Sequence, residues 1–117
     1  MDSSICQVES QGEVTVLSMN LDDVDVHQER VLMRDFFKLV DEGSKNIVID
    51  LSRTSHIASV GIAVLIFMLK RTKKKDCNLA ICGASEKIKN VLKTTNVDTL
   101  FEVYDDREKA ISRLTSA

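Results

Sequence analysis

Two short, almost continuous apolar runs, NIVIDL at residues 46–51 and NLAIC at residues 78–82, flank a segment long enough to form a full helix. Runs of this kind suit strands covered on both faces, where helices above and below leave no solvent side and hence no polar alternation. Two such strands joined through a helix make a right-handed parallel crossover, which directs the chain towards a layered α/β sheet. The neighbouring segments extend the pattern. Residues 5–9 alternate, Gln11-Gly12 predicts a turn, and VTVL at 14–17 returns with β-branched residues, so a hairpin leads the chain and the sheet is mixed. Asp25 followed by Gln28 fits a capping box. Beyond it Leu32, Phe36, Leu39 and Val40 recur at helical spacing, Met33 and Phe37 widen the face, and Gly43 ends the helix.

The joining helix is predicted over residues 59–74 and carries the longest apolar run, eight residues at 62–69. After the 78–82 strand, Gly83 closes and Ser85 caps a helix with Ile88, Val91 and Leu92 on its apolar face. Residues 100–104 read as a last short strand, and Asp105 or Asp106 starts a helix bearing Ala110, Ile111 and Leu114. Proline is absent and no low-complexity stretch interrupts the chain, so residues 1–117 are expected to form one α/β domain with a mixed central sheet, an N-terminal hairpin and about four helices.

Composition narrows the function. A net charge of −2 with 4% aromatic residues and no Trp lacks the basic, stacking surface of a general nucleic-acid binder. The eight-residue apolar run falls far short of the roughly 20 residues that span a bilayer. The opening MDSSICQVES has neither the basic start nor the apolar core of a secretory leader, so the expectation is a soluble cytoplasmic protein without membrane insertion. Three cysteines, an odd number, do not suggest a disulfide framework. Cys77 and Cys82 flank a strand and should point to opposite faces, and His27 and His56 share no ligand spacing with them, so no metal is expected.

Neither G-x-x-x-x-G-K-[ST] nor G-x-G-x-x-G occurs, which removes the two common phosphate cradles. Ser59 lies on a strand-to-helix connection like the nucleophile of a hydrolase elbow, but Ile57 occupies the place of the first glycine. His56 is the nearest candidate base, and no third group orients it. A small serine hydrolase is therefore the weakest of the functions considered. The cluster Asp22, Asp23 and Asp25 precedes the first helix, where carboxylates favour its positive end. The basic run KRTKKK at 70–75 offsets the negative end of the apolar helix, with docking to an acidic partner or anionic lipid as the functional alternative.

At residues 47–65 the chain reads IVIDLSRTSHIASVGIAVL. This resembles the signature of the STAS domain in bacterial anti-sigma factor antagonists, where a strand ending D-L-S leads through a short loop into an Asp-Ser-[Ser/Ala/Thr]-Gly-Leu turn and a helix. Asp50-Leu51-Ser52 falls on the strand end, Ser59 on the phosphorylated serine, and Gly61-Ile62 on the glycine and apolar residue. LSMNLD at 17–22 is similar to the family's L-x-G-x-L-D, with Met19 in place of glycine. Ala58 stands where the family has an acidic residue, and Val60 follows the serine.

The resemblance implies a regulator that supplies a surface and an acceptor hydroxyl, with no catalytic residue and no cofactor. Unphosphorylated, it would bind an anti-sigma factor and serine kinase of the histidine-kinase-like ATPase type and so release a sigma factor; phosphorylation at Ser59 would end that association. The partner surface it implies is Asp22, Asp23, Ser55, His56, Ala58, Ser59, Val60, Gly61 and Ile62. The protein would act as a monomer or weak dimer without direct nucleic-acid contact. The alternative with the same fold is a scaffold, or a component of a larger sensory or transport assembly, that lacks a phospho-switch.

Overall fold

The computed structural model describes residues 5–115; the first four residues of the stretch read above for a leader and the last two of the chain lie outside them. In chain order the elements are β1 (Cys6–Gln11), β2 (Val14–Met19), α1 (Val26–Asp41), β3 (Asn46–Asp50), α2 (Ser59–Lys74), β4 (Asn78–Cys82), α3 (Glu86–Thr94), β5 (Glu102–Tyr104) and α4 (Arg107–Thr115). The five strands form one sheet in sequence order, antiparallel between β1 and β2 and parallel from β2 through β5. When the strand order advances steadily in one direction, crossovers of one hand place their helices on one face. Accordingly α1, α2 and α3 contribute to the larger core, while α4 packs on the other face.

The two-residue period of the strands sorts side chains between these layers. Leu17, Ile47, Ile49, Leu79 and Ile81 meet the larger core, which also holds Phe36, Leu65, Met68, Ile88 and Leu92. The alternate positions Val14, Val16, Val48, Ala80 and Cys82 face Ala110 and Leu114 of α4. Cys77 belongs to the first layer and Cys82 to the second, so the two thiols lie on opposite sides as their spacing implied.

The strands and helices fall close to their sequence-based bounds, with three differences. The hairpin turn sits on Gly12-Glu13, because Gln11 still pairs with Val14. The last strand begins at Glu102, because Asn96 turns left-handed (φ 61°) and a 3-10 turn, Val97–Thr99, occupies part of the approach. Leu100 ends that turn, its N–H donating to the Val97 carbonyl at 2.9 Å. Of the acidic residues before α1, only Asp25 caps the helix: its carboxylate accepts from the Gln28 N–H and the Gln28 side chain accepts from the Asp25 N–H.

Candidate functional site

The connection between β3 and α2, residues 51–58, is the segment on which the sequence motif falls. It crosses the carboxyl ends of the parallel strands; the Leu51 N–H still donates to the Cys82 carbonyl at 2.9 Å, and beyond it side chains supply much of the bonding. Asp50, buried at the end of β3, accepts the Ser52 N–H at 2.9 Å. The Thr54 N–H donates to the Leu51 carbonyl at 2.9 Å and closes a turn. The Thr54 hydroxyl, also buried, donates to the Met19 carbonyl at 2.8 Å and accepts the Leu21 N–H at 3.1 Å. Arg53 reaches the Ser18 carbonyl at 3.3 Å.

Asp22 completes this attachment. One carboxylate oxygen accepts the N–H of Ser55 at 2.6 Å and of His56 at 3.3 Å. Burial works to raise the Asp22 pKa, but the Ser55 and His56 donors outweigh it and hold the carboxyl below its ordinary value. Asp23 lies 3.7 Å from the His56 ring Nε2. The LSMNLD segment and the Ser55–His56 segment are thus brought together. The three acidic residues have separate tasks: Asp25 caps a helix, Asp22 anchors the loop, and Asp23 faces His56.

The start of α2 is built differently from the other helix starts. Ala58 occupies the N-cap with extended backbone (φ −98°, ψ −179°) and no side-chain cap, so Ser59 is the first helical residue rather than the cap. The first turn contains no acidic side chain. The first helical bond runs from the Ile62 N–H to the Ala58 carbonyl at 3.1 Å, leaving the N–H groups of Ser59, Val60 and Gly61 without intrahelical acceptors. Ala58 and Ser59 are exposed, and Val60 and Ile62 are half-buried.

Gly61, in the first turn of α2, plays a packing role. It is buried, and a Cβ there would stand 2.6 Å from Ile57 Cγ1 and 3.7 Å from Leu21 Cβ. Its contribution is space: lacking a side chain, it lets Ile57 fold down over the helix start. Ile57 in turn lines a shallow groove of about 420 Å³ with Ala58, Ser59, Ile62, Val91 and Thr95. Sequence reasoning did not assign Ile57, Val91 or Thr95 to the site, because Val91 and Thr95, on α3 and its C-cap, are remote from this loop along the chain and the exposure of Ile57 shows only in the fold.

Behind the loop lies a polar cluster. Asp50 also accepts from Arg107 at the start of α4, with Nε at 3.0 Å and the second guanidinium nitrogen at 2.9 Å. Arg107 further bridges to Glu9 at 2.7 Å. Burial raises the Asp50 pKa, but the Ser52 donors and Arg107 together bring it below its ordinary value. The neighbouring Cys82 thiol is pushed up to about 12 by burial and by the Asp50 charge, so it stays protonated and inert at neutral pH. Gly83, at φ +73°, is required here twice over: a Cβ would lie 2.6 Å from the Asp50 carboxylate, and the backbone is left-handed. Among the described residues no group of three or more His, Cys, Asp or Glu is placed to hold a metal, and no helix is long and apolar enough to cross a membrane.

Comparison with known proteins agrees with this architecture. The chain is similar to the anti-sigma-B factor antagonist of Staphylococcus epidermidis, 27% identical over 86 residues that cover 74% of this chain and 80% of the relative. In three dimensions it is similar to an anti-sigma factor antagonist from Mycobacterium paratuberculosis, with a TM-score of 0.81 and 21% identity over 94% of this chain and 92% of that one. It is also similar to the Bacillus cell fate determinant SpoIIAA in its phosphorylated form, with a TM-score of 0.71 and 16% identity over 92% and 97% of the two chains. The family model for the STAS domain matches residues 6–110, from the first residue of β1 into α4. The mixed five-stranded sheet, the loop anchored across its strand ends and this match all agree, and the chain belongs to the STAS domain family.

Proposed function

We propose that this protein is an anti-sigma factor antagonist whose contact surface is the anchored 51–58 loop with the first turn of α2, and whose association is controlled by phosphorylation of Ser59. The observation that carries this reading is an exposed hydroxyl on the first residue of a helix whose N-terminal N–H groups no side chain caps. A phosphate there adds roughly −1.5 to −2 charges at neutral pH. The helix start accommodates such a charge, because its free N–H groups and dipole face it. A partner covering the loop does not, because desolvating a dianion is costly. Phosphorylation therefore leaves the fold intact and removes the association. The name of the Staphylococcus relative and the two states of SpoIIAA, solved unphosphorylated and phosphorylated, support the reading by similarity.

In this reading the partner is an anti-sigma factor that is also the serine kinase, of the histidine-kinase-like ATPase type. The phosphoryl group moves from its ATP to Ser59 Oγ, the hydroxyl proton is lost and ADP leaves. Asp22, Thr54 and Asp50 hold the loop in the shape the partner meets. Asp23, Ser55, His56, Ala58, Val60 and Ile62 supply contact around the serine.

Site-resolved mass spectrometry of the protein from its own cells under several growth conditions tests this. Phosphate on Ser59 that varies with condition is the expected result. An unmodified Ser59 in every condition, together with a Ser59→Ala variant that functions normally, would instead favour the constitutive scaffold, for which Ala58 in place of the family's acidic residue is the pertinent observation.

A further inference from the structure

We infer that the contact surface continues from Ser59 along the whole outward face of α2 and that the partner meets it with an apolar patch ending in acidic side chains; this rests on the binding role proposed above. From Ser59, positions four, seven, eight, eleven, fourteen and fifteen residues on share one side of a helix. In α2 they are Ala63, Ile66, Phe67, Lys70, Lys73 and Lys74. The opposite side is the buried one, with Val64, Leu65, Met68 and Leu69. An ordinary surface helix is polar on its outward face, whereas the middle of this one is apolar. Phe67 is 48% exposed, and Ala63 and Ile66 are half-buried.

The basic end of the helix divides into two groups. Arg71 is committed inward: its guanidinium bridges Asp41 at 2.7 Å and stands 5.0 Å over the Phe37 ring. Lys75 lies 3.7 Å from the same carboxylate. Lys70, Lys73 and Lys74 are exposed and make no ion pair or side-chain hydrogen bond among the described residues. Lys73 and Lys74 lie in the last turn and offset the helix's negative end without an ion pair, so Lys70, before that turn, is the cation this role leaves unexplained. At about 1.5 Å rise per residue, Lys70 stands about 16 Å and Lys74 about 22 Å from Ser59 along the axis. An exposed phenylalanine between a hydroxyl at one end and three unpaired ammonium groups at the other fits an apolar anchor flanked by carboxylates. A lipid surface is the weaker fit, since three lysines and one aromatic side chain fall short of the two strong signals that stable anchoring needs.

The test uses the full chain and the protein isolated with it from its own cells, purified and titrated by surface plasmon resonance at low and high salt. Lys70→Glu on α2 is compared with Lys109→Glu on α4, an equal charge change on the other face of the sheet. Lys70→Glu is expected to slow association about tenfold at low salt and less at high salt, with Lys109→Glu unchanged. Phe67→Ala is expected to speed dissociation about tenfold. If Lys70→Glu and Phe67→Ala both bind like the wild type while Ser59→Asp does not bind, the extended surface is wrong and the Ser59 switch stands. If the isolated protein binds wild type and Ser59→Asp equally, the switch reading fails, and the Lys70→Glu and Phe67→Ala results decide the extended surface on their own. Binding to mixed phosphatidylcholine–phosphatidylglycerol vesicles that Lys70→Glu abolishes would overturn the protein partner in favour of a membrane.

Discussion

The helix starts of this protein are of two kinds. α1 begins on the reciprocal bonds of Asp25 and Gln28, α3 on the Ser85 hydroxyl accepting the Ile88 N–H at 3.2 Å, and α4 on Asp106 accepting the Lys109 N–H at 2.8 Å. α2 begins on Ala58, which accepts nothing through its side chain. Yet α2 is the helix with the most deeply buried inner face, through Gly61, Val64, Leu65, Met68, Leu69 and Thr72. A helix held along its side does not need its end closed, so the end is available for another purpose. The amphipathic α1 and α3 lie more on the surface, and their caps contribute to holding them there.

The largest effect is expected from the buried side of α2. Leu65→Ala is expected to cost about 3 kcal/mol through lost burial and a residual cavity, measured by urea unfolding. Ser59→Ala, at the open end, should stay within about 0.5 kcal/mol of wild type in the same experiment. A larger loss at Ser59 would mean that the helix start matters to stability after all.

The caps provide the next contrast. Asp25→Ala removes the carboxylate that accepts the Gln28 N–H, leaving the backbone N–H bond to Gln28, and should cost about 1 kcal/mol, and Ser85→Ala a similar amount. Conversely, Ala58→Asp places a cap on backbone already extended for one, and should gain up to about 1 kcal/mol. A fall in thermal midpoint for Ala58→Asp would show that α2 cannot be closed in the way the other helices are.

The smallest effect concerns the loop rather than the helix. Asp22 and Asp50 are both held below the ordinary carboxylate value of 3.8 in the folded protein. Their contribution is fully present above that unfolded-state value and is lost as pH falls through the lower folded-state value. Stability should therefore decline on acidification below about pH 4, and Asp22→Asn should make that decline shallower. Amide hydrogen exchange at Ser55 and His56 should also quicken in Asp22→Asn, while exchange in β3 stays as in wild type. Unchanged exchange at both amides would remove Asp22 from its anchoring role.

The amino-acid sequence by itself determined the alternation of strands and helices, the leading hairpin, the caps at Asp25 and Ser85, and the position of Ser59 at a helix start. Each of these depends on a period or a side chain acting within a few residues, which a single chain displays openly. It also placed the motif of the 47–65 stretch, because that motif is contiguous. What lay beyond it was decided by contacts between residues far apart in the chain. Asp22 looked like one of three helix-favouring carboxylates until β2 and β3 came side by side and the Ser55 and His56 amides fell against it. That Gly61 makes room for Ile57 shows only in the fold, and the basic run looked uniform until Asp41 claimed Arg71 and Lys75 and left the other lysines outward. Local periodicity assigns a residue to a face of its own element; which other element covers that face depends on packing between segments that only the tertiary structure brings together.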